Sequence, residues 1–476
     1  MNRLWILAVV LFVAITAPGW AGETKERRKP NIIFIMADDL GFAELGCYGQ
    51  KKIRTPFLDQ MAKEGIRFTQ HYAGNAVCAP SRCVLMTGLH SGHTYIRNNK
   101  EVRPEGQAPI PDHVLTVAEI LKQAGYVTGC FGKWGLGPPN SEGDPLNQGF
   151  DEFYGYNCQR HAHNFYPRYL YKNRKKITLK GNNRGLTGKQ YSHDLLEEEA
   201  LGFIRRHQKK SFFLYVPFTI PHLALQVPED SLKEYKGKWE DPPYKGGKGY
   251  LPHPHPRAAY AAMVTRMDRS VGRILALLRD LNLDEDTIIF FTSDNGATYN
   301  RLGGSDSYFF FSNGLLREFK GSLHEGGIRV PMIVRWKGKI KPETKTDLIS
   351  AFYDVMPTLC DIAGAKTPKK TDGISFLPTL LGKTAKQKRH EYLYWEFSGY
   401  GGQQAVRMDK WKAIRKKLRR GKLQVYLYDL EKDISEKTDV AQQHPKIVQR
   451  IEQIMRENHT PSKLFPIPAL DKLSKR

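Results

Sequence analysis

Apolar runs and polar breaks follow one another along this chain, and their lengths predict buried strands and helices in alternation. Leu4 to Ile15 is apolar, behind Met1-Asn2-Arg3 and ahead of Gly19-Trp20-Ala21. A basic start, an apolar run of about a dozen residues and a small-residue site predict a cleaved secretory leader over residues 1–21. The run is short for a membrane span, which needs roughly 20 residues. After the polar linker from Glu23 to Lys29, Asn31 to Met36 reads as a strand buried on both faces. Helical spacing predicts helices over Pro56 to Gly65 and Thr116 to Gly125, with a strand over Tyr126 to Phe131. Asp194 to His207 predicts another helix, Phe212 to Phe218 a buried strand, and Ala258 to Leu281 a long helix leading into strand Thr287 to Thr292. This alternation predicts an α/β fold with a large, mostly parallel or mixed sheet sandwiched by helices.

The pattern changes near residue 366. Ala365 to Lys388 carries Pro368, Pro378 and many lysines and reads as a connection. Short strand patterns follow over Glu391 to Phe397, Gln404 to Met408, Trp411 to Ile414 and Leu423 to Leu427, with Asp409-Lys410 as a turn, and Pro445 to Glu457 is amphipathic. The expected organisation is a leader (1–21), a catalytic domain (22–365), a connecting segment (366–388) and a small C-terminal antiparallel sheet with one helix (389–476). Gly237 to Pro256 reads as a surface loop.

Composition narrows the classes. The 476 residues are 40% hydrophobic and 26% charged, a globular balance, with six cysteines and no fixed-period repeat. There are 73 Lys plus Arg against 49 Asp plus Glu, a formal charge of +24. That charge favours anionic partners by long-range steering, and nucleic acid, an anionic surface and a sulfated polysaccharide all fit. No helix-turn-helix, zinc finger or RNA-binding sheet pattern stands in the chain, so nucleic acid is not the expected partner. The densest basic run, Arg415 to Lys422, reads either as a polyanion patch or as a solvated hairpin. Export would permit disulfides among Cys47, Cys78, Cys83, Cys130, Cys158 and Cys360, with no pairing readable from spacing.

Polar residues gather where the predicted strands end: Asp38-Asp39, Lys133, His222 and Asp294-Asn295. In open α/β sheets the ligand crevice lies beyond the carboxyl ends of the strands, so these four clusters are expected to converge. Cys78-Ala79-Pro80-Ser81-Arg82-Cys83 reads as a helix start, with Pro80 in the first turn and Cys78 just before the free amides. A reactive group there, with Arg82 one turn on, suits a tetrahedral oxyanion. A Cys78–Cys83 disulfide or a buried thiol are the alternatives from spacing alone.

The segment Cys78 to Gly88 resembles the Cys-x-Pro-Ser-Arg-x-x-x-x-Thr-Gly signature of the type I sulfatases, in the alkaline-phosphatase superfamily. Further likeness extends over Asn31 to Gly41, Thr55-Pro56, Gly132-Lys133-Trp134, Pro221-His222, Ser293 to Gly296, Glu325-Gly326-Gly327 and Tyr428-Asp429-Leu430. The resemblance implies a sulfatase, with Cys78 converted to formylglycine by a formylglycine-generating enzyme. It also implies a metal held by Asp38, Asp39, Asp294, Asn295 and modified Cys78. Such hard oxygen donors favour Ca²⁺ over zinc or copper. By the same resemblance Arg82, Lys133 and Lys320 surround the nucleophile and sulfate, and His222 stands near the leaving oxygen.

One departure is plain. The family commonly has His where this chain has Gly135, and that His contacts the formylglycine diol. His161 or His163 is a candidate substitute. Asn157, Gln159, Arg160, His161 and His163 are candidate substrate contacts. The implied function is an exported enzyme, periplasmic, extracellular or lysosomal, without a membrane anchor, that hydrolyses sulfate esters of a sulfated carbohydrate. A phosphoester or phosphonate hydrolase of the same superfamily, or a non-catalytic polyanion-binding homologue, are the rival readings. The sugar, the sulfate position and the oligomeric state are not legible.

Overall fold

The computed structural model describes residues 28–473; the expected leader over residues 1–21 lies outside them. Eleven strands form the main sheet: β1 (Asn31–Ala37), β2 (Ile66–Tyr72), β3 (Val127–Lys133), β4 (Glu152–Tyr156), β5 (Tyr169–Lys172), β6 (Lys175–Thr178), β7 (Phe212–Pro217), β8 (Thr287–Ser293), β9 (Arg329–Trp336), β10 (Thr344–Thr346) and β11 (Ser350–Ala351). Their order is β10-β2-β9-β8-β1-β7-β3-β4-β5-β6, with β11 beside β2. The central run β8-β1-β7-β3-β4 is parallel, while β9 runs against β8 and β5 against β4. The sheet is therefore mixed, with a parallel heart, as the alternation of helix and apolar strand predicts.

Alternation within β1 explains the layering. All seven of its residues are buried. Ile32, Phe34 and Met36 enter one apolar layer, which holds helices Cys78–Thr87, Val117–Gln123 and Val355–Ala363. Ile33, Ile35 and Ala37 enter the other, against helices Pro56–Lys63, Ser192–His207 and Pro256–Asp280. A strand covered on both faces needs no polar alternation, which is why its sequence reads as an unbroken apolar run.

A second sheet, β12 (Leu393–Phe397), β13 (Gln403–Met408), β14 (Trp411–Lys416) and β15 (Val425–Asp429), is antiparallel in chain order. Its face of Leu393, Trp395, Phe397, Ala405 and Ile414 joins the layer that contains helix Cys78–Thr87. The opposite face, with Tyr394, Val406, Ala413 and Leu427, packs on Ile451, Ile454 and Met455 of helix Pro445–Glu457. Between the two sheets, the segment expected as a mere connection buries Phe376 and Leu380 in that same layer. The last of the four strands begins at Val425 rather than Leu423, because Leu418–Arg420 first makes a 3-10 turn. All six cysteines are free thiols, so no disulfide joins these parts.

A buried ion pair joins the two sheets instead. Lys412 of β14 places Nζ 2.9 Å from Glu325 Oε1, and both side chains are wholly buried. Arg329 at 3.2 Å and the Tyr72 hydroxyl at 2.8 Å complete the carboxylate's partners. Burial alone would raise the Glu325 pKa, but Lys412, Arg329 and Arg407 outweigh it and hold the carboxyl below the usual range. Lys412→Ala is expected to cost about 3–5 kcal/mol, the usual loss when one partner of a buried pair is removed. Urea unfolding at neutral pH checks it; an unchanged midpoint would contradict this role. The sign in pH is fixed by the lowered pKa. The carboxylate's contribution is present above the unfolded value, about 4.3, and is lost as pH falls through the depressed folded value.

Candidate active site

The polar clusters predicted to converge do so at the carboxyl ends of four adjacent parallel strands. Asp38 and Asp39 follow β1, Asp294 and Asn295 follow β8, Lys133 is the last residue of β3, and His222 lies five residues beyond β7. Lys320 is brought in by its loop: its amide donates to Ala297 O at 3.0 Å, and the Gly321 amide donates to Ala76 O at 2.8 Å. These two bonds tie the loop to the β8 extension on one side and to the approach to Cys78 on the other. Gly296 permits the contact beneath, since a Cβ there would fall 1.8 Å from Gly326 O.

Cys78 is the first residue of its helix, with Val77 as N-cap, and so sits one position further in than the sequence suggested; Pro80 is in the first turn as expected. Its Sγ lies 3.5 Å from Asp38 Oδ1, 3.5 Å from Lys133 Nζ and 3.3 Å from Lys320 Nζ. Lys133 Nζ donates to Asp38 Oδ2 at 2.6 Å and Lys320 Nζ to Asp39 Oδ2 at 2.8 Å. Arg82, 1% exposed, grips Asp294 Oδ2 through Nε at 3.2 Å and Nη2 at 2.8 Å, and also donates to the Lys133 carbonyl. Burial alone would lower the Arg82 and Lys320 pKa values. Asp294 and Asp38 outweigh it at Arg82, and Asp39 outweighs it at Lys320, so both stay charged. Burial pushes the Cys78 thiol up to about 12 despite Lys133 and Lys320, so the unmodified side chain is a neutral thiol.

The donor set fits a hard divalent cation. Asp38, Asp39, Asp294 and Asn295 are all 0% exposed. Asn295 donates Nδ2–H to Asp39 Oδ1 at 2.8 Å, which fixes the amide orientation, and its Oδ1 is left buried without a partner. An orphaned buried carbonyl beside three carboxylates suits an oxygen-ligated ion. Asp38, Asp39, Cys78 and His222 each offer a ligand atom within 4.8 Å of the others. The fixed charges nearly cancel, Asp38, Asp39 and Asp294 against Arg82, Lys133 and Lys320, so a divalent cation would leave the centre positive and suited to an anion.

His222 places Nε2 3.5 Å from Asp39 Oδ2, and its Nδ1 contacts the Leu223 carbonyl. Nδ1 therefore carries the proton in the neutral ring, and Nε2 faces the centre. Burial, then Lys320, Lys133 and His163, holds His222 well below the ordinary histidine range. His163 stacks on it with ring centroids 4.5 Å apart.

The remaining candidates divide. His161 is not at the centre: it packs against Tyr156 and Tyr169, with Nδ1 3.2 Å from Glu105. Arg160, with its side chain 79% exposed, faces Glu101 at 3.6 Å. Asn157 and Gln159 are buried, and among the described residues neither amide has a partner for its nitrogen or its oxygen. Gln159 settles which side chain fills the space at Gly135. A Cβ on residue 135, where φ is +80°, would lie 1.8 Å from Gln159 Nε2. Neither His161 nor His163 occupies that space. The compensation between a glycine and a glutamine 24 positions apart leaves no periodic signal in the sequence.

Comparison with known proteins agrees with this construction. The sulfatase family profile matches residues 30–365, and the profile "N-sulphoglucosamine sulphohydrolase, C-terminal" matches residues 319–460. The chain is 31% identical to steryl-sulfatase of Homo sapiens over 454 residues, 80% of this chain and 74% of that protein. It is 33% identical to N-acetylgalactosamine-6-sulfatase of Canis lupus familiaris over 398 residues, 78% of this chain and 70% of that one. The crystal structure of Ps i-CgsB in complex with k-i-k-neocarrahexaose aligns with a TM-score of 0.75 at 29% identity, covering 91% of this chain and 94% of that chain. The family match and these relatives show that the chain belongs to the sulfatase family of sulfuric ester hydrolases.

Proposed function

We propose that this protein hydrolyses a sulfate ester on a sulfated carbohydrate, after export and after conversion of Cys78 to formylglycine. The observation that carries the reading is the position of the Cys78 side chain: first in its helix, wholly buried, and within 3.5 Å of Asp38, Lys133 and Lys320 together. Formylglycine at residue 78 would supply a hydroxyl nucleophile where a neutral buried thiol has none. Asp38, Asp39, Asp294 and Asn295 would hold a Ca²⁺, which would supply positive charge to offset that of the sulfate.

The chain's own groups do the rest. Lys133 and Lys320 stand on either side of the residue-78 side chain and orient the nucleophile and the sulfate oxygens. Arg82 keeps Asp294 aimed at the centre through two hydrogen bonds. These cations are fixed before substrate arrives, so charge developing on the transferred group meets dipoles and ions already in place. Nucleophilic attack forms one S–O bond while the bond from sulfur to the sugar oxygen breaks. His222 and Lys320 are the groups assigned to help that oxygen take up its proton, and their shared contact with Asp39 supports the assignment. A bound anion beside His222 favours its protonated form, opposing the effect of Lys133 and Lys320.

The substrate class rests on the chain's formal charge of +24 and on the k-i-k-neocarrahexaose bound in the similar crystal structure. The test is anion release by the protein co-expressed with a formylglycine-generating enzyme. Sulfated galactans, glycosaminoglycan oligosaccharides and sulfated monosaccharides are compared with matched phosphate esters. Sulfate release is expected from one carbohydrate group, falling at least tenfold after chelation and returning with Ca²⁺. Faster phosphate than sulfate release would overturn the reading.

The geometry separates the two histidines that the sequence left equivalent. His163→Ala is expected to lower kcat about tenfold by removing the ring stacked on His222, whereas His161→Ala leaves kcat on a sulfated monosaccharide within twofold. Steady-state kinetics on one substrate checks both; equal losses would contradict the assignment.

A further inference from the structure

Beyond the nucleophile, the rim of the site carries an aromatic platform and a set of cations that the reaction does not use. Tyr299 lies on the extension of β8, with Lys320 Nζ 6.0 Å from its ring centroid. Tyr400, 63% exposed, stacks on Tyr299 at 6.2 Å between centroids, and the two hydroxyls are hydrogen-bonded. Tyr400 stands at the tip of Ser398-Gly399-Tyr400-Gly401-Gly402, in the turn between β12 and β13, with φ +50°. Gly321 makes room for it next to Lys320: a Cβ there would meet the Tyr400 ring at 3.2 Å. An exposed tyrosine is thus held in a left-handed turn and laid against the backbone of a catalytic loop.

The same turn is bonded to the basic run. Arg419 N donates to Gly401 O at 2.9 Å and Leu418 N to Gly402 O at 3.2 Å. Arg415 and Leu418 are buried, and Arg415 pairs with Glu452, so these two are structural. Lys417, Arg419, Arg420 and Lys422 are exposed and, among the described residues, form no ion pair. Arg419 also lines a cleft of about 490 Å³ with Asn99, Lys100 and Ser398, a lining that contains no carboxylate. Asn99 accepts from the amide of Ala79 at 3.0 Å, so this cleft adjoins the first turn of the nucleophile helix. Unpaired cations held beside an amphipathic aromatic face suit a ligand with both a sugar-like face and fixed negative charge.

We propose that the Tyr299–Tyr400 platform, with Lys100, Lys417 and Arg419 behind it, binds an acidic sugar unit of the same glycan next to the unit that loses sulfate. The proposal rests on the sulfatase reading for the identity of the glycan, and it gives the C-terminal sheet a part in recognition. It assigns Tyr400 to the sugar face and Lys417 and Arg419 to a sulfate or carboxylate.

Binding to the full chain carrying Cys78→Ala tests it without turnover, by calorimetry with a heparin hexasaccharide and a sulfated galactan hexasaccharide. Tyr400→Ala and Lys417→Ala/Arg419→Ala are each compared with Lys209→Ala/Lys210→Ala, which removes the same charge at the opposite ends of the strands. At least a fivefold loss of affinity is expected from the platform and cation variants on the hexasaccharide that binds more tightly, with a shallower salt dependence for the double variant. Affinities equal to the control, or no binding of either hexasaccharide by the parent chain, would overturn the proposal. The unmodified-sequence enzyme provides the second arm. Its ratio of hexasaccharide to monosaccharide kcat/KM should fall at least fivefold with Tyr400→Ala. Sulfate release with hexasaccharide affinity indifferent to these variants rejects the platform and leaves the sulfatase reading intact. Platform-dependent binding in a chain that releases no sulfate does the reverse.

Discussion

Cys78→Ala is expected to reduce sulfate release by about 10⁴-fold or more while leaving the protein folded, the size of effect that follows loss of a covalent nucleophile. The two halves of that expectation come from different facts. Loss of activity follows because, on the proposed reading, the residue-78 side chain carries the nucleophile, while Lys133 and Lys320 are cations paired with Asp38 and Asp39. Retention of the fold follows from what Sγ does in the resting protein. Its contacts are long ones to lysines that each have a carboxylate partner as well, so removing sulfur strands no buried charge. Alanine at the first helical position also keeps the helix start, since the first-turn amide of Ala79 is satisfied by Asn99. Peptide mass spectrometry on the parent confirms conversion of Cys78, and sulfate release with thermal unfolding completes the comparison. Wild-type-like turnover would reject residue 78 as the nucleophile.

Much of the site was legible because its residues stand at places where sequence patterns break. Asp38-Asp39 ends the apolar run of β1, and Asp294-Asn295 ends that of β8. Both pairs are polar residues that a strand buried on both faces cannot contain, so their position is marked twice. Cys78 and Arg82 are one helical turn apart, and local spacing suffices to place them on one face. Lys320 was harder. Its reach to Asp39 depends on a loop pinned by backbone bonds to Ala297 and Ala76, which no side-chain pattern records. Gln159 in the space above Gly135 is a purely tertiary fit, as is Tyr400 on Gly321. The repeated glycines in Gly399-Tyr400-Gly401-Gly402 were the available sign that an aromatic was being presented rather than packed. Glu325 shows the opposite case. Its Glu-Gly-Gly motif is close to the site in sequence, yet its carboxylate faces Lys412 of the second sheet.

Asp294→Ala is expected to lower both stability and activity, because on the proposed reading one carboxylate serves both the ion and the fold. Its Oδ2 is the shared acceptor of Arg82 Nε and Nη2, and its Oδ1 accepts the Asp39 amide at 3.1 Å. Arg82 is 1% exposed and Asp38, its other carboxylate neighbour, is 3.7 Å away and already bonded to Lys133. Removing Asp294 therefore leaves a guanidinium out of water with the Lys133 carbonyl and one distant carboxylate, at a cost of about 3–5 kcal/mol. The same change would remove a charged donor from the proposed metal set, and sulfate release is expected to fall at least 10³-fold, as for loss of a transition-state charge clamp. The two effects separate by experiment. In chelator, where no ion contributes, the wild type keeps its Arg82–Asp294 pair, and the variant should still unfold at lower urea. Adding Ca²⁺ should then raise wild-type stability, by about 2.7 kcal/mol at a hundredfold excess over Kd, and raise the variant's much less. A variant as stable as wild type in chelator would show that Arg82 finds its compensation elsewhere. A variant stabilised equally by Ca²⁺ would remove Asp294 from the metal set.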